Sequence, residues 1–219
     1  MEAQGRAAGG DRLKLDDKED RKIQKRIARA EKKAVRYAGV DQGLIHKFWE
    51  LVNMFPKIST PELELRLEHF IMTAAPGQYF LMQQAIFEEA TPYLVEDERM
   101  LHLMDELAGK KIGLSIPGEY ESTVTLDQRC FQVRRGIVED VPVISCASRR
   151  DYADAILLKA DPIKMILGRR IRATKKFTLL RWVLPHIEVL RDKTLFDKYL
   201  GYQSEVEKVI EENLTKMGY

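Results

Sequence analysis

SRRDYADAILLKADPIKMILGRRIRATKKFTLLRWVLPHIEVL, residues Ser148–Leu190, is the stretch whose order of caps, breaks and alternations decides the fold. Ser148 can accept a hydrogen bond from the exposed amides of a first helical turn, and Asp151 three residues on can return one. Ala153, Ile156, Leu157 and Ala160 then recur at helical spacing. Asp161 caps a second, shorter helix, with Pro162 at its first position, where a missing N–H costs nothing. Met165, Ile166 and Leu167 fill that turn, and Gly168 is expected to end it in a left-handed conformation. Arg169–Lys175 alternates charged and apolar residues, as a half-buried strand does. From Phe177 a wide apolar helical face runs through Leu179, Leu180, Val183, Leu184, Ile187 and Leu190.

Two features of this block bear on function. Between Pro162 and Ile187 stand seven Lys or Arg residues and no acid. Beside them lies more aliphatic surface than one short strand needs. A greasy volume with a basic rim suits an amphiphile with an anionic head; the alternative is a solvated basic face over an ordinary core.

The whole chain sets the bounds. Its 219 residues, 45% hydrophobic and 32% charged, suffice for a sizeable core. The net charge of +2 hides an asymmetry: residues 21–36 carry eight bases against one acid, Glu31, so this segment is +7 and about −5 is left elsewhere. Cys130 and Cys146 cannot form a disulfide framework, which points to a reducing cytoplasm. No apolar run approaches the roughly 18 residues of a membrane span, and no apolar signal core opens the chain.

Residues 1–12 are expected to be disordered. A basic helix should run from Asp16 or Asp17 to about Ala38, with a thin stripe of Ile23, Ile27, Ala30 and Ala34. Amphipathic helices follow, one capped by Asp41 and bearing Leu44–Phe55, and one opened by Thr60-Pro61. An apolar segment spans Phe80–Ala90, and a further helix should start at Thr91-Pro92 and end at Gly109. Candidate strands are Lys111–Ile116, Ser122–Leu126, Arg129–Arg135, Val141–Ala147 and Arg169–Lys175. Pro142 argues for an edge position or a bulge in the fourth. Thr194 and Ser204 should open two closing helices.

Nothing in this pattern speaks for catalysis. The four histidines are scattered; Glu98 and His102 share a helical face, as a surface ion pair would, and no second pair completes a metal site. Cys146 lies on a strand with no histidine near in sequence, as a small core residue does. No nucleotide-binding glycine loop, nucleophile elbow or zinc motif is present. The chain is therefore expected to be no enzyme and to need no cofactor or metal.

From Met100 to Leu190 the chain resembles the sterol carrier protein type 2 lipid-transfer domain. The likeness is carried by an order of elements: a two-faced β-region, the capped helix SRRDYADAILLKA, Asp161-Pro162, an apolar turn closing on Gly168, a strand with Arg170 and Arg172, and a closing helix. Leu158 and Thr174 stand where that family usually has glycine. The resemblance implies an α/β (α+β) fold, a roughly five-stranded sheet covered by helices that enclose an apolar tunnel, here with an N-terminal helical extension. It implies domains at 1–38 (basic arm), 39–97 (helical extension), 98–190 (lipid-binding) and 191–219 (C-terminal helices). It also implies non-enzymatic binding or transport of a fatty acid, fatty acyl-CoA, phospholipid or sterol-like lipid. Expected tunnel-wall residues are Phe131, Val133, Tyr152, Ile156, Met165, Ile166, Leu180, Trp182 and Val183. Arg149, Arg150, Arg169, Arg170 and Lys176 would form the head-group rim. The alternative is an interaction module, in which the basic N-terminal helix binds a protein partner or a second copy of the chain and the α/β domain is scaffold.

Overall fold

The computed structural model describes residues 21–33, 36, 43, 47, 57–127 and 130–219. Residues 21–33 are helical; the expectations for residues 1–12, the end of the arm and the Leu44–Phe55 helix lie outside the described residues. The helices that follow are α1 (Pro61–Thr73), α2 (Pro76–Leu94) and α3 (Glu98–Leu107). Thr60 caps α1 by accepting from Leu63 N, and Asp97 caps α3 by accepting from Arg99 N. Where the sequence predicts a new start at Thr91-Pro92, α2 instead runs through the proline to Leu94. Pro92 sits in the last turn and forfeits one backbone bond, while the Thr91 hydroxyl donates to Phe87 O at 2.7 Å.

Five strands follow: β1 (Lys111–Ile116), β2 (Tyr120–Asp127), β3 (Cys130–Arg135), β4 (Val143–Cys146) and β5 (Ile171–Ala173). They form one mixed sheet in the order β3-β2-β1-β4-β5, with β1 and β4 parallel and the other neighbours antiparallel. Register puts Ile112, Val124 and Val133 side by side on one face, with Leu126 and Phe131 next to them. Gly113, Thr123 and Arg134 share the opposite face. The β3–β4 connection crosses that second face. The Thr123 hydroxyl donates to Gly136 O at 2.7 Å and accepts from Val138 N at 3.1 Å. A Cβ on Gly113 would stand 2.8 Å from the Ile137 side-chain tip, so glycine leaves room for that side chain to pack onto β1.

Pro142 is neither in an edge strand nor at a bulge: β4 begins just after it, between β1 and β5, and its carbonyl accepts from Gly113 N at 2.8 Å. Between β4 and β5 run α4 (Arg149–Ile156) and α5 (Pro162–Leu167). Ser148 and Asp161 cap them as the sequence predicts, accepting from Asp151 N and from Ile163 and Lys164 N. The left-handed residue after α5 is Arg169 (φ 63°), whereas Gly168 stays right-handed at φ −77°. Glycine serves there because a Cβ would lie 3.0 Å from Lys164 O. Leu158, where the resembled family carries glycine, also takes a positive φ of 49°.

The long helix expected over Phe177–Leu190 is broken. α6 (Lys176–Val183) leads into a 3-10 turn at Leu184–His186 and a short α7 (Ile187–Leu190). Pro185 lacks the N–H that would continue the helix. Asp192, rather than Thr194, caps α8 (Lys193–Leu200), accepting from Leu195 N, and α9 (Gln203–Lys216) starts after Tyr202 without a side-chain cap. A core cluster joins α1 (Leu63, Leu67, Phe70, Ile71), α2 (Tyr79, Met82), the β1–β2 end (Ile116, Tyr120), α4 (Ala153, Leu157) and α9 (Ile210, Leu214). Each such large apolar side chain contributes about 1.5–3 kcal/mol when fully buried. A smaller cluster joins Met100 and Leu103 of α3 to Leu195 of α8.

Candidate functional site

The alternation Phe131, Val133, Arg135 along β3 sets three side chains on the sheet's apolar face, and α2 lies over them. Phe87 of α2 meets Phe131 with ring centroids 5.0 Å apart, and the Arg135 guanidinium sits 4.9 Å from the centre of the Phe80 ring. Between these ends Gln83 accepts from the Ser122 hydroxyl at 2.8 Å and from the Tyr120 hydroxyl. Tyr79 stacks on Tyr120 at 5.3 Å and meets Tyr152 edge-on at 6.0 Å. Burial pushes the Tyr79 phenol up to about 12 and that of Tyr152 higher still, so both stay neutral.

The other expected wall residues fall into three environments. Met165 is 1% exposed and packed. Ile166, Leu180, Trp182 and Val183 are half-buried. Ile156 is 48% exposed, so it does not line an interior. The structure therefore gathers Phe131 and Val133 under α2 and sets Tyr152 against the α1–α2 cluster. Among the described elements, the broad contact of α6 is with the turn that follows it rather than with the sheet. That helix, KFTLLRWV, buries none of its side chains fully.

Three of the five expected rim cations are engaged by carboxylates. Arg149 pairs with Glu119 at 2.5 Å and donates to Met72 O and Ala74 O at 3.1 and 3.0 Å, closing the C-terminal end of α1. Arg150 meets Glu68 at 2.6 Å and Asp154 at 3.3 Å. Arg170 pairs with Asp151 at 2.5 Å and with Asp154, and these partners raise its pKa further. These arginines bind protein rather than offer a free rim, because the acids arrive from elements the linear sequence does not put beside them. Arg169 and Lys176 are exposed, the latter 5.9 Å from the Phe177 ring.

The expected Glu98–His102 pair is replaced by one to Glu106, whose carboxylate lies 3.0 Å from His102 and 3.2 Å from His186. Among the described residues no group of three acidic, histidine or cysteine side chains could hold a metal ion. Cys146 is buried, and burial pushes its thiol up to about 11, which keeps it protonated.

The resemblance implies an apolar tunnel between sheet and helices; one cleft that the described residues form lies where α2 begins beside the β1–β2 turn. It measures about 440 Å³ and is lined by Pro76, Gly77, Phe80, Gly118, Glu119, Tyr120, Glu121 and Arg135. Sequence reasoning passed over it, although one signal was present: Arg135 puts a cation where the strand's alternation calls for an apolar residue.

No family model and no curated protein matches the chain. A solved structure described as "UbiJ-SCP2 Ubiquinone synthesis protein" is 10% identical with a TM-score of 0.39, and the match covers 53% of this chain and all of that one. A likeness this distant carries nothing about ligand or activity. The α/β fold stands on the five-stranded mixed sheet and its helices. Among the described residues no helix is long and apolar enough to cross a membrane.

Proposed function

We propose that the chain binds an amphiphile, a fatty acid, fatty acyl-CoA, phospholipid or sterol-like lipid, without catalysing its conversion. The observation that carries this reading is α6: five of its eight side chains are apolar, and none is fully buried. Ile163, Ile166 and Leu167 of α5 are half-buried as well. Such surface is stabilised by an apolar ligand at about 0.8 kcal/mol per methylene removed from water. The sequence resemblance to the sterol carrier domain supports the same reading. Two free thiols fit a cytoplasmic carrier.

The test is native mass spectrometry of the chain from its expression host, followed by displacement of a fluorescent fatty acid from delipidated protein. A co-purified lipid and saturable displacement are expected; a clean apo mass with no probe uptake refutes the reading.

A second reading has one observation behind it. The helical residues 21–33 expose seven basic side chains while Ile23, Ile27 and Ala30 are half-buried, and Arg26 donates to Leu167 O at 3.1 Å. On this reading the basic helix rests against the domain by its thin stripe and offers its charge to a partner. Removing residues 1–38 would abolish partner capture and leave probe uptake intact.

A further inference from the structure

Arg135 lies outside the network of arginine–carboxylate pairs among the described residues. Among the described residues no carboxylate pairs with it; its guanidinium is exposed and stacks 4.9 Å from the Phe80 ring centre. It stands on the same sheet face as Val133 and Phe131, at the mouth of the seam between α2 and β3. We propose that the 440 Å³ cleft takes the carboxylate of a monoanionic amphiphile, gripped by Arg135, with the first carbons of its tail against the Phe80 and Tyr120 rings. This deepens the amphiphile reading above and rests on it.

The chemistry of the lining selects the class. A guanidinium offers a planar fork that matches a carboxylate with two parallel hydrogen bonds, and stacking on Phe80 holds that plane in advance. Glu119, on the opposite wall, is already neutralised by Arg149 at 2.5 Å. Glu121 borders the cleft from β2 but alternates onto the face of Thr123 and Arg134, opposite Arg135. Arg135 thus brings one positive charge to the cleft, which a single carboxylate balances and a phosphate monoester exceeds. Pro76, Gly77 and Gly118 put no long side chain into the space. At the inner end Phe80 and Tyr120 supply aromatic wall, and Phe87 against Phe131 closes the seam. The volume is at the small end for ligand pockets, enough for a head group and a few carbons, with the rest of the chain left to the apolar surface beyond.

The experiment measures displacement of a fluorescent fatty acid from the delipidated full chain by decanoate, decanol and decyl phosphate. Decanoate should compete better than either other ligand. Arg135→Gln should weaken decanoate by roughly tenfold and decanol by less than about twofold, as expected for one charge-assisted bidentate contact. Arg135→Lys should restore part of the loss, since it keeps the charge and loses the fork. Decanoate binding that ignores both Arg135 substitutions would overturn the assignment while leaving the amphiphile reading intact. So would an equal loss of decanoate and decanol in Arg135→Gln, which would make Arg135 a packing residue. Failure of all three ligands to displace the probe from the unmodified chain would bring down the amphiphile reading itself.

Discussion

The core of α1, α2, α4 and α9 and the segment α5–α7 are about equally rich in apolar residues, yet they are used differently. In the first, Phe70, Ile71, Ala153 and Leu214 are at most 2% exposed, and helices distant in sequence close over one another. In the second, Met165, Leu184 and Ile187 are at most 1% exposed, but Phe177, Leu179, Leu180, Trp182 and Val183 of α6 all stay half-buried. Hydrophobic sequence content thus fixes what could be buried, whereas the number of elements that arrive to cover a helix fixes what is. The first region closes on itself, and on the reading proposed above the half-buried face of α6 is what a ligand would cover.

The contrast is most easily broken by truncation. Phe70→Ala should cost about 3–5 kcal/mol, whereas Leu180→Ala should cost no more than about 1 kcal/mol and lower probe uptake. Chemical denaturation of both variants checks this; equal losses would erase the distinction between the two regions.

A polar pair tests how the first region is tied together. Glu207, 9% exposed on α9, accepts from Ser59 N at 2.9 Å and from Gln203 at 2.6 Å, besides the Ser59 hydroxyl. Burial works to raise its pKa, but these bonds outweigh it and hold the carboxyl below its usual range. Glu207→Ala should destabilise by about 1–3 kcal/mol, because Ser59 and Gln203 lose hydrogen bonds to a charged acceptor. With the folded pKa depressed, the stabilisation is present above the unfolded carboxyl value and fades as pH falls through the folded one. An acid titration of the melting temperature, steeper in the unmodified chain than in the variant, is the expected result.

The two expected wall residues Met165 and Ile156 sharpen the comparison at single positions. Met165→Trp should cost about 1–3 kcal/mol by overpacking, whereas Ile156→Trp, at an exposed site, should stay within about 0.5 kcal/mol. A well-tolerated tryptophan at 165 would reveal free space beside α5.

The smallest effect is chemical. Burial raises the Cys146 thiol to about 11, while Cys130 is half-buried at the start of β3. A maleimide should label Cys130 first and Cys146 at the rate of global opening. With folded values above the unfolded ones, Cys146 and Tyr79 both support the fold below their unfolded pKa and withdraw that support as pH rises toward about 11 and about 12. The denaturation midpoint should therefore fall on the alkaline side.

What the sequence determined by itself was local. Ser148, Asp161 and Thr60 cap helices because a side-chain oxygen meets an amide two or three residues away, a distance set within one turn. The strands from Lys111 to Arg135 were legible from their period of two, which gave the wet and apolar faces of β3. Element ends were less legible: Pro92 was absorbed in a last helical turn, and Pro185 split a helix that its apolar spacing made continuous. Only the tertiary structure decided which charges are free. Arg170, inside the acid-free run, meets Asp151 and Asp154, 19 and 16 residues back, so such a run in the sequence says little about a basic rim in space. The same holds for the cleft, which exists because α2 crosses the end of β3 beside the β1–β2 turn, bringing Gly77, Glu119 and Arg135 together. Caps and alternation are set by neighbours along the chain, whereas cavities and ion pairs are set by which elements the sheet's strand order brings side by side.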